Sequence, residues 1–153
     1  MTSIKDFDRS AGLAFQGDIA FIPLPDGYTP KTNDEVPPID GRLIIQEGEA
    51  SGHHHAIKLP QPTMFRDDAL ARGMAVAESL PTVRMFRDNS LAQRLVRDGY
   101  LTRADLCIGF LVVENGPVVV AHEEHDGIRF HPGVYYCGRQ IESAGSEERV
   151  VID

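Results

Sequence analysis

IGFLVVENGPVVVAHEEHDGIRFHPGVYYC, residues 108–137, is the stretch of the chain that decides its fold. It holds four short runs rich in β-branched and aromatic residues, at 108–114, 117–122, 128–130 and 134–137. Asn115-Gly116 is the strongest short hairpin signal, and Asp126-Gly127 and Pro132-Gly133 mark two further turns. The pattern predicts a β-meander, and closely spaced strands of this kind favour a sandwich or a small barrel that closes its own edges.

Two more strands are predicted between the N-terminus and the first histidines. Residues 18–22 are β-rich and end at Pro23, after which repeated prolines prevent regular structure as far as Asp40-Gly41. The next strand covers 42–49 and passes from an apolar run into the acidic Glu47-Gly48-Glu49. We therefore expect this strand to leave the core just before the histidines.

The helical patterns lie between about residues 61 and 106. Segments 67–71 and 88–96 each begin with a good N-cap residue, and the second closes at Asp98-Gly99, where glycine suits a left-handed C-cap. Met-Phe-Arg-Asp occurs at 64–67 and again at 85–88, through either a duplication or a shared strand-to-helix turn. The prediction is a single domain over 1–153, mainly β, a small β-barrel or jelly-roll-like meander with a short two-helix insertion at about 61–106.

Composition excludes several classes of protein. The chain has 153 residues and a net charge of -8, without the basic stripe that nucleic-acid binding needs. It has no run of about 20 apolar residues that would cross a bilayer, and its N-terminus does not resemble a signal peptide. Cys107 and Cys137 lie in apolar strand contexts and are expected to be buried, reduced thiols. We therefore expect a soluble cytoplasmic protein with no membrane or nucleic-acid partner.

The six histidines form two clusters and one isolated position. The first cluster is His53-His54-His55, and the second lies in His122-Glu123-Glu124-His125. In a strand, residues two apart share a face and lie about 6.6 to 7 Å apart, so the imidazoles of His53 and His55 can converge on one ion. Ligands from a neighbouring strand would complete the site. We predict one divalent metal site, suited to zinc, nickel, iron or manganese, with His53, His55 and His122 as ligands and either His125 or Glu124 as the fourth.

Other interpretations of these residues stay open. Three adjacent histidines beside Ser51-Gly52 are also typical of an exposed loop, and a His-Glu-Glu-His run is also typical of a charged surface turn. Glu47 and Glu49 are carboxylate ligands, partners that orient an imidazole, or solvated acids. His131, between Phe130 and Pro132, is expected to be a packed structural residue.

Some segments of the chain resemble a small uncharacterised bacterial and phage protein family. The resemblance rests on the pattern EGExxGHxH … HEEHxxIxxPxGxY…RQ and covers roughly residues 41 to 58 and 108 to 142. It implies no reaction, because the family has no established activity. More loosely, Gly52-His53-x-His55 and the Pro132-Gly133 turn are similar to the cupin pattern, which implies a jelly roll. The glutamate that cupins place shortly after the histidine pair is missing here, where Ala56 to Pro60 stand instead, so cupin chemistry is not implied.

Three classes of function are consistent with these features. The first is a metal-dependent protein with an open reactive site or a closed stabilising one. The second is a non-catalytic interaction or structural module with a protein or small-molecule partner, and the third is a metal carrier with exposed histidines. A homo-oligomer is compatible with each. Burial distinguishes them, because a catalytic site is recessed and a carrier site is open.

Overall fold

The computed structural model describes residues 3–47, 54–59, 80–123, 125–144 and 147–150, and within these ranges a pair of five-stranded sheets packs face to face. The strands are, in chain order, β1 (Ile4–Asp6), β2 (Ala14–Gln16), β3 (Ile19–Pro23), β4 (Arg42–Glu47), β5 (His54–Lys58), β6 (Thr82–Phe86), β7 (Cys107–Glu114), β8 (Val118–Ala121), β9 (Gly127–Phe130), β10 (Gly133–Arg139), β11 (Ile141–Ala144) and β12 (Glu147–Val150). A 3-10 turn occupies Arg9–Ala11, and helix α1 spans Asn89–Arg97.

The chain visits the two sheets in turn. The first sheet has the order β1-β9-β8-β5-β4, and the second sheet has the order β2-β3-β10-β7-β6. Neighbouring strands are antiparallel except β1 and β9, which run parallel. Strands β11 and β12 pair with each other as a separate ribbon. The result is a β-sandwich built largely from consecutive strands that pair antiparallel. The first sheet contains the pairs β4/β5 and β8/β9. The second sheet contains the pairs β2/β3 and β6/β7.

The main core lies between the two sheets. Apolar side chains from alternate positions of both sheets meet there, as the period of two along a strand requires. Its centre is aromatic: the ring centroids of Phe21 and Phe130 are 4.9 Å apart, and those of Phe130 and Tyr135 are 4.8 Å apart. Phe21 and Tyr135 come from the second sheet and Phe130 from the first, so these rings join the layers.

Helix α1 covers the outer face of the second sheet. Leu91 and Leu95 are buried against Phe110 and Tyr136 in a second apolar cluster. The helix begins where predicted, because the Asp88 carboxylate accepts a hydrogen bond from the Leu91 N–H at 3.1 Å. It ends at Asp98, followed by a glycine with φ of +89°.

The mainly β prediction is confirmed, but the meander and the closed barrel are not found in the described residues. Asn115-Gly116 does turn the chain, with φ of +65° at Asn115, yet it leads from β7 in the second sheet to β8 in the first. Pro117 has no backbone N–H to donate to a hairpin partner. In addition, β7 packs on the core from the second sheet, whereas β8 packs on it from the first sheet. The jelly-roll description stays a prediction.

The two-helix insertion is only partly described. The predicted helix at 88–96 is present as α1, whereas the predicted helix at 67–71 lies outside the described residues. Within the range 61–106, β6 is an edge strand of the second sheet and buries Met85 and Phe86, so this strand belongs to the sandwich. That 1–153 forms a single domain stays a prediction.

Candidate ligand-binding site

The buried polar side chains of the described residues lie in one place. Four polar residues are buried there, with exposed fractions of 0 to 5%: Gln16, Asp18, His55 and His122. All four are at one end of the sandwich, where β2, β5 and β8 end or turn. Burying a polar group is unfavourable unless it forms hydrogen bonds. The grouping of these four buried polar side chains in one place therefore indicates a candidate site.

Local backbone features bring these side chains inward. Gly17, with φ of +56°, allows the two-residue turn between β2 and β3 that places Gln16 and Asp18 side by side. On β5, His55 and Ile57 point into the core while their neighbours point out. A register shift in β4 between Ile44 and Gln46 sets Gln46 opposite His55.

The hydrogen bonds of Gln16 determine the protonation of one nitrogen atom of His55. Nε2 of the Gln16 amide donates to the backbone carbonyls of Val120 and Asp126, at 3.0 and 2.9 Å. Since both of these groups only accept, the amide oxygen Oε1 must be the atom that faces Nδ1 of His55, at 2.7 Å. An amide oxygen also only accepts, so Nδ1 of His55 carries a proton and donates it.

The second nitrogen atom of His55 faces a carboxylate. Nε2 lies 2.8 Å from Oδ1 of Asp18, and both side chains are buried. Oδ2 of Asp18 accepts a hydrogen bond from Nε2 of Gln46 at 2.6 Å. A carboxylate only accepts and Nδ1 already donates to Gln16, so the arrangement fits an imidazolium–carboxylate pair in which both nitrogen atoms of His55 are protonated.

The polar network continues toward the surface through Gln46. Its Oε1 accepts from Nε of the half-buried Arg139 at 3.2 Å. The next residue, Gln140, fixes the turn between β2 and β3, because its backbone N–H donates to the carbonyl of Asp18 at 2.9 Å. The network therefore links the turn of the second sheet to β4 and β5 of the first.

His122 joins the network by stacking. Its ring centroid lies 4.4 Å from that of His55 and 4.6 Å from that of His125. The backbone N–H of His125 donates to Nδ1 of His122 at 3.3 Å, so Nδ1 is unprotonated and the ring proton of the neutral imidazole is on Nε2. The two histidine clusters of the sequence thus meet through ring contacts that are tilted by 36° and 37°.

The described histidines do not fit a metal site as they stand. A metal ligand needs an unprotonated ring nitrogen aimed at the ion. Both nitrogen atoms of His55 face Gln16 and Asp18, and Nδ1 of His122 accepts from the backbone. Within the described ranges, no group of three or more His, Cys, Asp or Glu side chains is arranged to hold a metal ion. His53 and Glu124, the other two predicted ligands, lie outside the described residues.

An open cleft lies on the outer face of the first sheet, above the network. This outer cleft has a volume of about 260 Å³ and is lined by Arg42, His54, Ala56, Lys58, Ala121, His122 and Glu123. Ala56 and Ala121 are register partners on β5 and β8, and their small side chains leave the space. His122 lines the cleft and also stacks on His55, so it connects the cleft with the buried network.

The two ends of the outer cleft differ in charge. Arg42 and Lys58 are exposed and directly opposite each other on β4 and β5. At the other end, the Glu123 carboxylate accepts a hydrogen bond from the His54 backbone N–H at 3.1 Å. The cleft therefore offers a cationic end, a small apolar floor and a polar end with imidazoles.

The remaining residues singled out in the sequence lie elsewhere. His131 is about half exposed and its Nε2 lies 3.0 Å from Oδ1 of Asp6, so the expectation of a packed residue is wrong. Cys137 is a buried free thiol, as predicted, whereas Cys107 is a free thiol that is only partly buried. Burial, together with the charge of Asp88, raises the pKa of Cys107 to about 12, and burial raises that of Cys137 as well, which makes both poor nucleophiles. Of the glutamates, Glu49 lies outside the described residues.

Sequence reasoning missed most of the network and both cations of the outer cleft. The missed residues are Gln16, Asp18, Arg42, Gln46, Lys58 and Arg139. One local signal was present, since Gln16-Gly17-Asp18 places two polar residues around a glycine between two apolar segments. That signal indicates a turn, but its burial depends on β5, which lies nearly forty residues further along the chain.

The fold and site define a two-sheet β-sandwich with a buried imidazole network beneath an open cleft. The chain belongs to the family described as Domain of unknown function (DUF8820), whose model matches residues 15–93. The matched range contains the network from Gln16 to His55 and both cations of the cleft, and it ends before His122. No curated protein and no solved structure matches the chain significantly.

These comparisons confirm the expectation of an uncharacterised family. They do not support the specific motif or the cupin resemblance, and most of the motif, at 108–142, lies outside the matched range. No helix in the described residues is long and apolar enough to span a bilayer. The cytoplasmic location, the absence of a nucleic-acid partner and a homo-oligomer stay predictions.

Proposed function

We propose that the protein is a ligand-binding module that holds a small molecule in the outer cleft, with the buried histidine network as the rigid support of one wall. The observation that carries this proposal is the coincidence of two features. All four buried polar side chains of the described residues lie in one network, and that network reaches the surface at the cleft through His122. Polar networks of this kind fix the geometry of a site because every member is held by its neighbours.

The cleft suits a metabolite-sized ligand better than a macromolecule. Its volume of about 260 Å³ lies just below the range of about 300 to 1,000 Å³ for drug-sized pockets. Its small apolar floor gives contact area, and a few polar groups at the rim give orientation. Catalysis is not part of the proposal, because neither nitrogen of His55 can reach a ligand from its buried position.

A fragment titration tests the proposal. Backbone amide NMR spectra of the full chain are recorded with a library containing neutral, cationic and anionic fragments. We expect shifts concentrated at residues 42–44, 54–58 and 121–123. Ala121→Phe should abolish them by filling the cleft, whereas Thr82→Phe, an exposed strand position of the second sheet, should leave them intact. A library that produces no shifts at these amides would refute the binding function.

Metal binding is the second candidate, as one divalent zinc, nickel, iron or manganese ion. What supports it is the approach of the two histidine clusters, with His55, His122 and His125 in one stack. To bind at His122, an ion would have to displace the hydrogen bond that the His125 N–H donates to Nδ1 of His122. Alternatively, it would be bound by His53, His125 and Glu124. Plasma mass spectrometry of protein purified without a tag tests this. One equivalent of metal that disappears in His53→Ala/His55→Ala would favour a metal protein or carrier, and metal-free protein without thermal stabilisation by these ions would reject both.

A further inference from the structure

We infer that the ligand of the outer cleft carries an oxyanion, a carboxylate or phosphate group held between Arg42 and Lys58. The inference rests on the proposed function and specifies the chemical class of its ligand. Arg42 begins β4 and Lys58 ends β5, and the two are register partners on the same outer face. Partners of this kind have Cβ atoms about 4.5–5.5 Å apart, so the two cationic groups can reach one anion together.

The arginines of this protein show why Arg42 is exceptional. Six others described with their side chains contact a carboxylate: Arg84, Arg87, Arg94, Arg97, Arg103 and Arg129. Arg139 donates instead to Gln46. Among the residues that the structure describes, neither Arg42 nor Lys58 has a carboxylate partner.

Electrostatics gives the pair a function. Like charges directly opposite each other on neighbouring strands destabilise a sheet. An oxyanion between them would remove that repulsion, and the planar guanidinium of Arg42 can bind two of its oxygens at once. The body of the ligand would then lie over Ala56 and Ala121, toward His54 and His122.

The ligand is small, and its anionic group defines its orientation. Glu123 lies at the opposite end of the cleft and already accepts from the His54 backbone N–H, so a second anionic group there would be repelled. A hydrogen-bond donor at that end would be favoured. The expected ligand is therefore a small carboxylate or phosphate compound with one anionic end and a donor at the other.

Titration with two oxyanions tests this inference. The full chain is titrated with inorganic phosphate and with propionate, each of which carries a single anionic group, at constant ionic strength, and amide shifts at 42–44, 54–58 and 121–123 are followed by NMR. Saturable shifts are expected with at least one oxyanion, and the tighter of the two indicates phosphate or carboxylate. Arg42→Gln and Lys58→Gln should each weaken binding by about tenfold or more, as expected on losing a charge-assisted hydrogen bond.

The controls separate this inference from the function on which it rests. Arg97→Gln removes the same charge from the exposed face of α1 and should leave oxyanion affinity unchanged. Arg42 and Lys58 are themselves exposed, so neither variant opens the core. If neutral fragments occupy the cleft while both oxyanions fail, or if Arg42→Gln binds them as the wild type does, the oxyanion inference is wrong and the binding function stands. If no compound of any charge shifts these amides, both are wrong.

Discussion

The outer faces of the two sheets differ in what covers them. On the second sheet, helix α1 buries Leu91 and Leu95 against Phe110 and Tyr136, and the covered surface is almost wholly apolar. On the first sheet, Ala56 and Ala121 leave a cleft with two facing cations at its rim. The helix-covered face of the second sheet is packed with apolar residues. The open face, which is the outer face of the first sheet around the cleft, combines small residues, like charges and a polar support. The proposed binding function accordingly lies on the first sheet, where the cleft is.

The largest expected loss of stability comes from disrupting the buried polar network of Gln16, Asp18 and His55 beneath the cleft. Asp18→Ala leaves the buried His55 without its carboxylate, and loss of one partner of a buried pair typically costs about 3–5 kcal/mol of the free energy of unfolding. Guanidinium denaturation measures the loss. Asp105→Ala, which removes an exposed partner of Arg103, is the control and should leave the midpoint unchanged. An equally small change in both variants would show that the network does not hold the two sheets together.

Truncation beneath the helix is the corresponding test on the covered face. Leu95 is fully buried, and Leu95→Ala should lower the free energy of unfolding by about 2–5 kcal/mol through lost burial and the cavity left behind. The ligand-induced shifts at the cleft should persist in this variant at temperatures where it remains folded. If cleft binding were lost as well, the two faces would not be functionally separate.

A smaller effect is expected at the helix cap. Asp88→Ala removes the acceptor for the Leu91 N–H and should cost about 1 kcal/mol, while the exposed mid-helix Gln93→Ala should cost little. Burial raises the pKa of Asp88, but hydrogen bonds from Lys31, Ser90 and Leu91 outweigh it and hold the pKa below 3.8. The contribution of the cap is therefore complete above pH 3.8 and lost as the pH falls through the lower folded-state pKa. Urea denaturation of both variants, from neutral pH to below pH 3.8, checks this dependence. If Asp88→Ala remains as much less stable than Gln93→Ala at the lowest pH as at neutral pH, the dependence is contradicted.

The smallest expected effect is a gain in stability, in contrast to the losses expected for the variants above. Arg42→Gln removes one of two like charges that face each other, so it should stabilise the ligand-free protein by a few tenths of a kcal/mol. Such a gain is typical of positions where function, rather than stability, sets the residue. Thermal unfolding in a buffer without phosphate or carboxylate measures it. A clear loss of stability would mean that Arg42 belongs to the structural framework of the open face.

Local patterns predicted those features of the fold that depend on local physics. The cap at Asp88 and the end at Asp98-Gly99 were predicted from capping chemistry, and the strands over 108–137 were predicted from β-branched runs. Of the pairings that a meander requires, β8 with β9 is present, whereas β7 and β8, and likewise β9 and β10, lie in different sheets. A turn at Asn115-Gly116 does not determine whether the next strand joins the same sheet, because that choice depends on which side of the core each apolar face is buried.

The site was predicted less completely than the fold. The histidine pattern predicted that two clusters would meet, and His55, His122 and His125 do lie together. It did not predict that Gln16 and Asp18 would take both nitrogen atoms of His55, since those residues are 39 and 37 positions away in sequence. Spacing along a strand shows which side chains share a face, but not which distant partners those side chains meet.

The protonation of His55 tests the central claim most directly. Nitrogen NMR of the imidazole rings in tag-free, uniformly ¹⁵N-labelled protein distinguishes protonated, unprotonated and metal-bound ring nitrogens. The hydrogen-bond network predicts two protonated nitrogens for His55 and an unprotonated Nδ1 for His122. An unprotonated Nδ1 or a metal-bound nitrogen at His55 would contradict the network and return the metal-binding hypothesis to first place.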